Sequence, residues 1–84
     1  MEYKGLVIKW MGHDSFRITD GDKTAVIDPY EVDKVFSASH VLITHPHYDH
    51  CSKDDVRKVS NDRTMVIAPG DCLSKLRDSK NLQI

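Results

Sequence analysis

A chain of 84 residues allows one small domain with a modest core and excludes two domains that each bury their own. Its 12 Lys and Arg stand against 13 Asp and Glu, so no basic field gathers nucleic acid by counterion release, and a general nucleic-acid binder is disfavoured. No apolar run approaches the roughly 20 residues that span a bilayer, and Met1-Glu2-Tyr3-Lys4-Gly5 lacks the charged-then-apolar layout of a signal peptide, so the expectation is a cytoplasmic protein with no membrane partner.

In chain order, Leu6–Trp10 is β-rich, and after Gly12-His13-Asp14 the run Ser15–Thr19 alternates apolar with polar as a half-buried strand does. Asp20-Gly21-Asp22 supplies a tight turn into a third strand, Thr24–Ile27, which predicts an antiparallel meander. Asp28-Pro29 stops that strand, because Pro offers no backbone donor. Val41-Leu42-Ile43-Thr44 is a short continuous apolar run that predicts a strand buried on both faces. Ser52 and Asp55 resemble a capping box, which predicts a helix over Lys53–Ser60 with Val56 and Val59 as its apolar stripe. Asn61-Asp62-Arg63 ends it, and Thr64–Ala68 reads as a further buried strand. Pro69-Gly70-Asp71 opens a short helix carrying Cys72, Leu73 and Leu76, and Asn81–Ile84 resembles one more strand. The reading is a mixed α/β (α+β) single domain over 1–84: a strand meander, then β-loop-α-β-α-β, with helices on one face. Trp10 is expected in the core and His40 in a structural role. Cys51 and Cys72 form neither a CxxC pair nor a dense framework and are expected as small buried thiols, as a reducing compartment favours.

Three of the five histidines fall within positions 45 to 50, in His45-Pro46-His47-Tyr48-Asp49-His50, directly after an apolar strand and before a helix. The carboxyl ends of strands are where α/β folds place their sites. Imidazole nitrogen and carboxylate oxygen suit Zn²⁺, with Mn²⁺ or Fe²⁺ as alternatives. In an extended stretch side chains alternate, so His45 and His47 face one point with Asp49 at its edge, while His50 points toward a second. The geometry suggests two neighbouring metals, one taking His45 and His47, the other Asp49 and His50. Two ions about 3.5–4 Å apart activate a bridging water and polarise the scissile group together. Spacing and context favour this over a polar loop that merely caps a strand.

His-x-His-x-Asp-His resembles the signature of the metallo-β-lactamase superfamily. With it go Trp10–Ile18, Ile27-Asp28-Pro29-Tyr30 and Ile43 through Ser52, similar to a branch of metal-dependent hydrolases close to L-ascorbate-6-phosphate lactonase. The resemblance covers nearly the whole chain. It implies His45 and His47 on one metal, Asp49 and His50 on the other, and Asp28 bracing the loop, with Asp49 read also as the catalytic carboxylate. It implies two zinc ions, a small-molecule ester, lactone or phosphoester as substrate, and an αββα sandwich of two similar halves. The superfamily supplies a further His, a bridging Asp and a last His from later sequence; no histidine follows His50 here, and Asp71 and Asp78 lie in helix-like contexts. The chain resembles the N-terminal half of such a sandwich, with two ligands per metal where a catalytic zinc keeps three.

Around this loop, a metal-bound His donates its second nitrogen to a carboxylate or carbonyl, and Asp28 is the candidate acceptor. His13 and Tyr48 are the secondary candidates, expected to line a pocket. All four loop donors are expected to converge on one concave spot. The expected function is a metal-dependent hydrolase, inactive as this chain alone. The alternative is a non-catalytic metal-binding half-domain that pairs with a partner or a second copy, burying Val41, Ile43, Val66 and Ile67 in a homodimer.

Overall fold

The computed structural model describes residues 1–77, 79 and 81–84; Asp78 lies outside the described residues. Its strands are β1 (Glu2–Tyr3), β2 (Leu6–Trp10), β3 (Phe16–Asp20), β4 (Lys23–Ile27), β5 (His40–Leu42), β6 (Met65–Ile67) and β7 (Leu82–Gln83). Helix α1 (Lys53–Lys58) joins β5 to β6, and a 3₁₀ turn at Gly70–Cys72 leads into α2 (Leu73–Leu76) before β7. The strands lie side by side in chain order in one sheet, antiparallel from β1 to β4 and parallel from β4 to β7.

The expected meander is present, with Gly21 at φ 61° in the turn that pairs Asp20 with Lys23. The two-residue strand β1 was not anticipated, since Glu2-Tyr3 carries no alternation to reveal it. Helix α1 forms where expected: Ser52 Oγ accepts from the Asp55 backbone N–H at 3.3 Å, Asp54 and Asp55 occupy the first turn, and Arg57 and Lys58 the last. It stops at Lys58, two residues short of the expected end. The Ser60 hydroxyl takes the Val56 carbonyl at 2.6 Å, competing with continuation of the helical ladder.

Parallel strands need crossovers, and both helices fall on the same face of the sheet. Register aligns Val26, Val41, Val66 and Leu82 on that face, where Val56, Val59, Cys72 and Leu76 cover them and the 29–39 connection adds Val32 and Ala38. A fully buried Val or Leu contributes about 1.5–3 kcal/mol, so this layer is the main stabiliser of the fold. Cys51 and Cys72 are buried free thiols within it. Burial and the neighbouring Cys72 push the Cys51 thiol up to about 12, which keeps it protonated and unreactive.

Among the described residues, the other face has no helix. Register places Leu6, Ile8, Trp10, Phe16, Ile18, Ala25, Ile27, Leu42, Met65 and Ile67 on it. Three expectations are corrected here. Val41-Leu42-Ile43 is buried on one face, with Leu42 half-exposed on the other. Trp10 is 63% exposed rather than core, its indole Nε1 donating to the His13 carbonyl at 2.8 Å. Val41, Ile43 and Val66 are already covered by the chain's own helices, so among the four residues assigned to a dimer contact only Ile67 lies open. Period-two alternation shows that a strand has two faces; the crossover hand decides which of them receives the helices.

Candidate metal centre

Strands β4 and β5 run parallel with Ile27 beside Leu42, so their carboxyl ends deliver Asp28 and the Thr44–His50 loop to the same place. Asp28 is 3% exposed and sits at φ 47°, an unusual backbone for a residue with a side chain. Its Oδ1 accepts from the Thr44 N–H at 2.8 Å, and its Oδ2 accepts from the Thr44 hydroxyl at 2.6 Å and from His50 Nδ1 at 2.7 Å. The Thr44 hydroxyl thus spends its proton on Asp28 and is left to accept from His45 Nδ1 at 2.9 Å. This network assigns the proton to Nδ1 in both His45 and His50 and leaves the two Nε2 lone pairs outward, as metal ligation requires.

The loop is not extended. The N–H groups of His50 and Cys51 both reach back to the His47 carbonyl, at 2.9 and 2.8 Å, closing a tight turn. Strict alternation therefore fails, and His50 does not point away: its ring centroid lies 3.8 Å from that of His45, which in turn lies 4.7 Å from His47. The Lys75 ammonium, from α2, donates to the Pro46 carbonyl and buttresses the turn from below.

Asp49 presents Oδ1 to His50 Nε2 at 3.7 Å and Oδ2 to His13 Nε2 at 2.9 Å. The hydrogen bond from His13 holds the Asp49 carboxyl below the usual carboxylate range, and the same bond raises His13 above an ordinary imidazole. His13 reaches this point from a tight loop in which the Ser15 N–H bonds the Gly12 carbonyl at 3.0 Å and the Met11 N–H bonds the Ser15 carbonyl at 2.8 Å. Gly12 at φ 95° and His13 at φ 53° make two successive left-handed residues, a conformation that glycine accepts freely and histidine at some cost. Asp14 follows, its Oδ2 3.2 Å from His50 Nε2.

Tyr48 is exposed, with its ring edge-on to Tyr30 at 5.9 Å, and Tyr30 lies 5.0 Å from His13. Burial, then the Glu31 charge, raises the Tyr30 hydroxyl above its ordinary value, so it stays a neutral donor. Exposure differs across the site: the His13 and Asp14 side chains are 45% and 61% exposed, those of Asp49 and His50 24% and 13%. Sequence reasoning passed over Asp14, Tyr30, Thr44 and Lys75. Adjacency to His13 and His45 was a signal for Asp14 and Thr44; nothing local marks Lys75.

Among the described residues, two groups of three have donors within 4.8 Å of one another: Asp28, His45 and His50, and His13, Asp14 and Asp49. In the first, Asp28 is fully spent on hydrogen bonds and acts as a brace. The donor chemistry, imidazole nitrogens and carboxylate oxygens brought close together, fits a divalent cation.

The model of the β-lactamase superfamily domain matches residues 7–83. The chain belongs to the β-lactamase superfamily. Among superfamily relatives, it is 41% identical over 54 residues to a UPF0173 metal-dependent hydrolase of Roseobacter denitrificans, covering 51% of this chain and 24% of that protein. Another UPF0173 metal-dependent hydrolase, from Rhizobium etli, is 32% identical over 75 residues, covering 76% of this chain and 32% of the relative. The crystal structure of a protein named a metal-dependent hydrolase from Parabacteroides distasonis superposes with a TM-score of 0.80 at 30% identity, over 92% of this chain and 37% of that one. The chain thus spans about a quarter to a third of the length of these curated relatives. The mixed sheet with few helices is the superfamily's fold over a part of its extent, as expected from the sequence. No helix among the described residues is long and apolar enough to cross a membrane.

Proposed function

We propose that this chain carries the metal-binding half of a hydrolase site, as a single partial domain over residues 1–84. The observation that supports this reading best is Asp28 holding His45 and His50 at once, one through Thr44 and one directly, each by its Nδ1, so that Nε2 is the nitrogen each ring has left for a metal. His45 and His47 would hold one divalent ion, Asp49 and His50 the other, and Asp49 is the carboxylate nearest the chemistry. Zn²⁺ suits the donor set, with Mn²⁺ or Fe²⁺ as alternatives. Such an ion supplies Lewis acidity, lowering the pKa of water and polarising the scissile bond of a small-molecule ester, lactone or phosphoester.

The residues around it orient and exclude. His13 keeps one oxygen of Asp49 occupied and so turns the other toward His50, which makes it a positioning residue. Tyr30 and Tyr48 form an aromatic edge on which an apolar part of a substrate would rest. Catalysis by a zinc site normally uses three protein ligands per ion, and His45 with His47 makes two, so we expect the chain to bind metal and not to turn over alone. Calorimetric titration with Zn²⁺, together with assays of a chromogenic phosphodiester and a lactone, tests this. The expected result is metal binding that is lost in His45→Ala and Asp49→Ala, without hydrolysis. Metal-dependent turnover that vanishes in those variants would overturn the inactivity, and absence of metal binding would overturn the site.

A second reading is favoured by the open sheet face. Trp10, Phe16, Met65 and Ile67 are large apolar side chains left exposed, and a face of this kind gains stability when covered. On this reading the chain is a non-catalytic metal-binding half-domain that pairs with a partner chain or a second copy. A cytoplasmic location accords with the two unpaired thiols.

A further inference from the structure

The pair Asp49 and His50 leaves its ion one protein ligand short, and the structure places a second carboxylate beside them from a different part of the chain. Resting on the metal-site reading above, we propose that Asp14 is a metal ligand, completing with Asp49 and His50 a three-ligand position built wholly from these residues. The argument is one of spacing. Donors that share a tetrahedral zinc ion, each about 2.0–2.2 Å from it, stand about 3.3–3.6 Å apart. His50 Nε2 is 3.2 Å from Asp14 Oδ2 and 3.7 Å from Asp49 Oδ1, which brackets that separation. Carboxylate oxygens of Asp14 and Asp49 also lie within 4.8 Å of each other.

The loop that presents Asp14 is built for the placement. Ser15 is fully buried and closes the turn on Gly12, and the left-handed backbone at Gly12 and His13 swings the next side chain back over the sheet's carboxyl end. His13 and Asp14 then divide the work: His13 occupies the far oxygen of Asp49, and Asp14 stands against the Nε2 of His50. His50 is committed at Nδ1 to Asp28, so its Nε2 offers a lone pair rather than a proton to whatever lies between it and Asp14. Two carboxylates and an imidazole, with a place for water, make a set that suits Zn²⁺ or Mn²⁺.

The rival account is a plain counter-ion, in which Asp14 pairs with a protonated His50 and must be displaced before metal enters. The two accounts predict opposite signs. If Asp14 is a ligand, Asp14→Ala and Asp14→Asn weaken Zn²⁺ binding, measured by calorimetry, by at least about tenfold. Cobalt substituted for zinc would also change its visible absorption in Asp14→Ala, because the coordination number changes. If Asp14 is only a counter-ion, both variants bind Zn²⁺ as well as or more tightly than the parent chain and leave the cobalt spectrum unaltered, which overturns the proposal. Asp14 is 61% exposed, so neither substitution removes a packed side chain, and circular dichroism checks that both variants fold. Failure of the underlying reading is distinguishable, because then the parent chain itself shows no Zn²⁺ binding, or binds undiminished as Asp49→Ala and His50→Ala.

Discussion

Asp28 and His50, 22 positions apart, are joined by a 2.7 Å hydrogen bond from Nδ1 to a carboxylate buried at the end of β4. That bond sets which nitrogen of His50 is free, and through Thr44 the same carboxylate sets His45. Asp28→Asn keeps the shape but puts an amide donor where the hydroxyl of Thr44 and His50 Nδ1–H now donate. The expected result is a His50 tautomer with its proton on Nε2, read by nitrogen NMR of the ring, and Zn²⁺ affinity lower by about 10- to 100-fold. Unchanged affinity with an unchanged tautomer would contradict the assignment of Asp28 as the brace.

His13 acts on Asp49 from 36 positions away. His13→Ala frees the second oxygen of Asp49 to rotate, and Zn²⁺ affinity is expected to fall about tenfold. His13→Gln returns an N–H near the same point and is expected to recover most of that loss. Equal weakening by both variants would mean that the imidazole itself, not its hydrogen bond, is what the site uses.

Asp55 supports the fold rather than the metal. It is 6% exposed and accepts from the Val32 N–H at 2.9 Å and the Ser52 hydroxyl at 2.6 Å, tying α1 to the 29–39 connection. Burial acts to raise its carboxyl, but the hydrogen bonds from Ser52, Val32 and Glu31, with the Lys58 charge, outweigh it and hold the group below its ordinary value. The folded state therefore binds this proton less readily than the unfolded chain. The stability so gained is complete above the unfolded carboxylate pKa and is lost as pH falls through the lower folded value. Asp55→Ala orphans the buried Val32 N–H and should cost about 1–3 kcal/mol in urea denaturation at neutral pH. It should also flatten the acid limb of the stability profile; an acid limb as steep as the parent's would show that Asp55 does not carry it.

The open sheet face makes a prediction about association. Met65 and Ile67 lie on it in β6, one strand in from the β7 edge, beside His40 and Leu42 of the neighbouring strand. Met65→Lys with Ile67→Lys should lower binding of a hydrophobic dye and shift sedimentation toward monomer, while leaving the helix-side core intact. Monomeric behaviour of the parent chain at the same concentration would remove the second-copy reading.

Features carried by short spacing were legible in the sequence. The His45–His50 motif, the Asp28-Pro29 strand end, the Gly21 turn and the Ser52–Asp55 cap each act over a few residues, so residue types at fixed offsets suffice to state them. Their order along the chain also implied a meander followed by parallel crossovers, which is the sheet observed. Only the tertiary structure decided which face the helices cover, since alternation marks two faces without naming the buried one; hence Trp10 and Ile67 are exposed and Val66 is not. Only it showed that the histidine loop curls, because that turn rests on backbone bonds to the His47 carbonyl that no side-chain pattern encodes. And only it brought His13 to Asp49 and Asp14 to His50. Those contacts join the loop after β2 to the loop after β5 across the sheet's carboxyl end, and a separation of 36 residues becomes 2.9 Å only once the strands between them have paired.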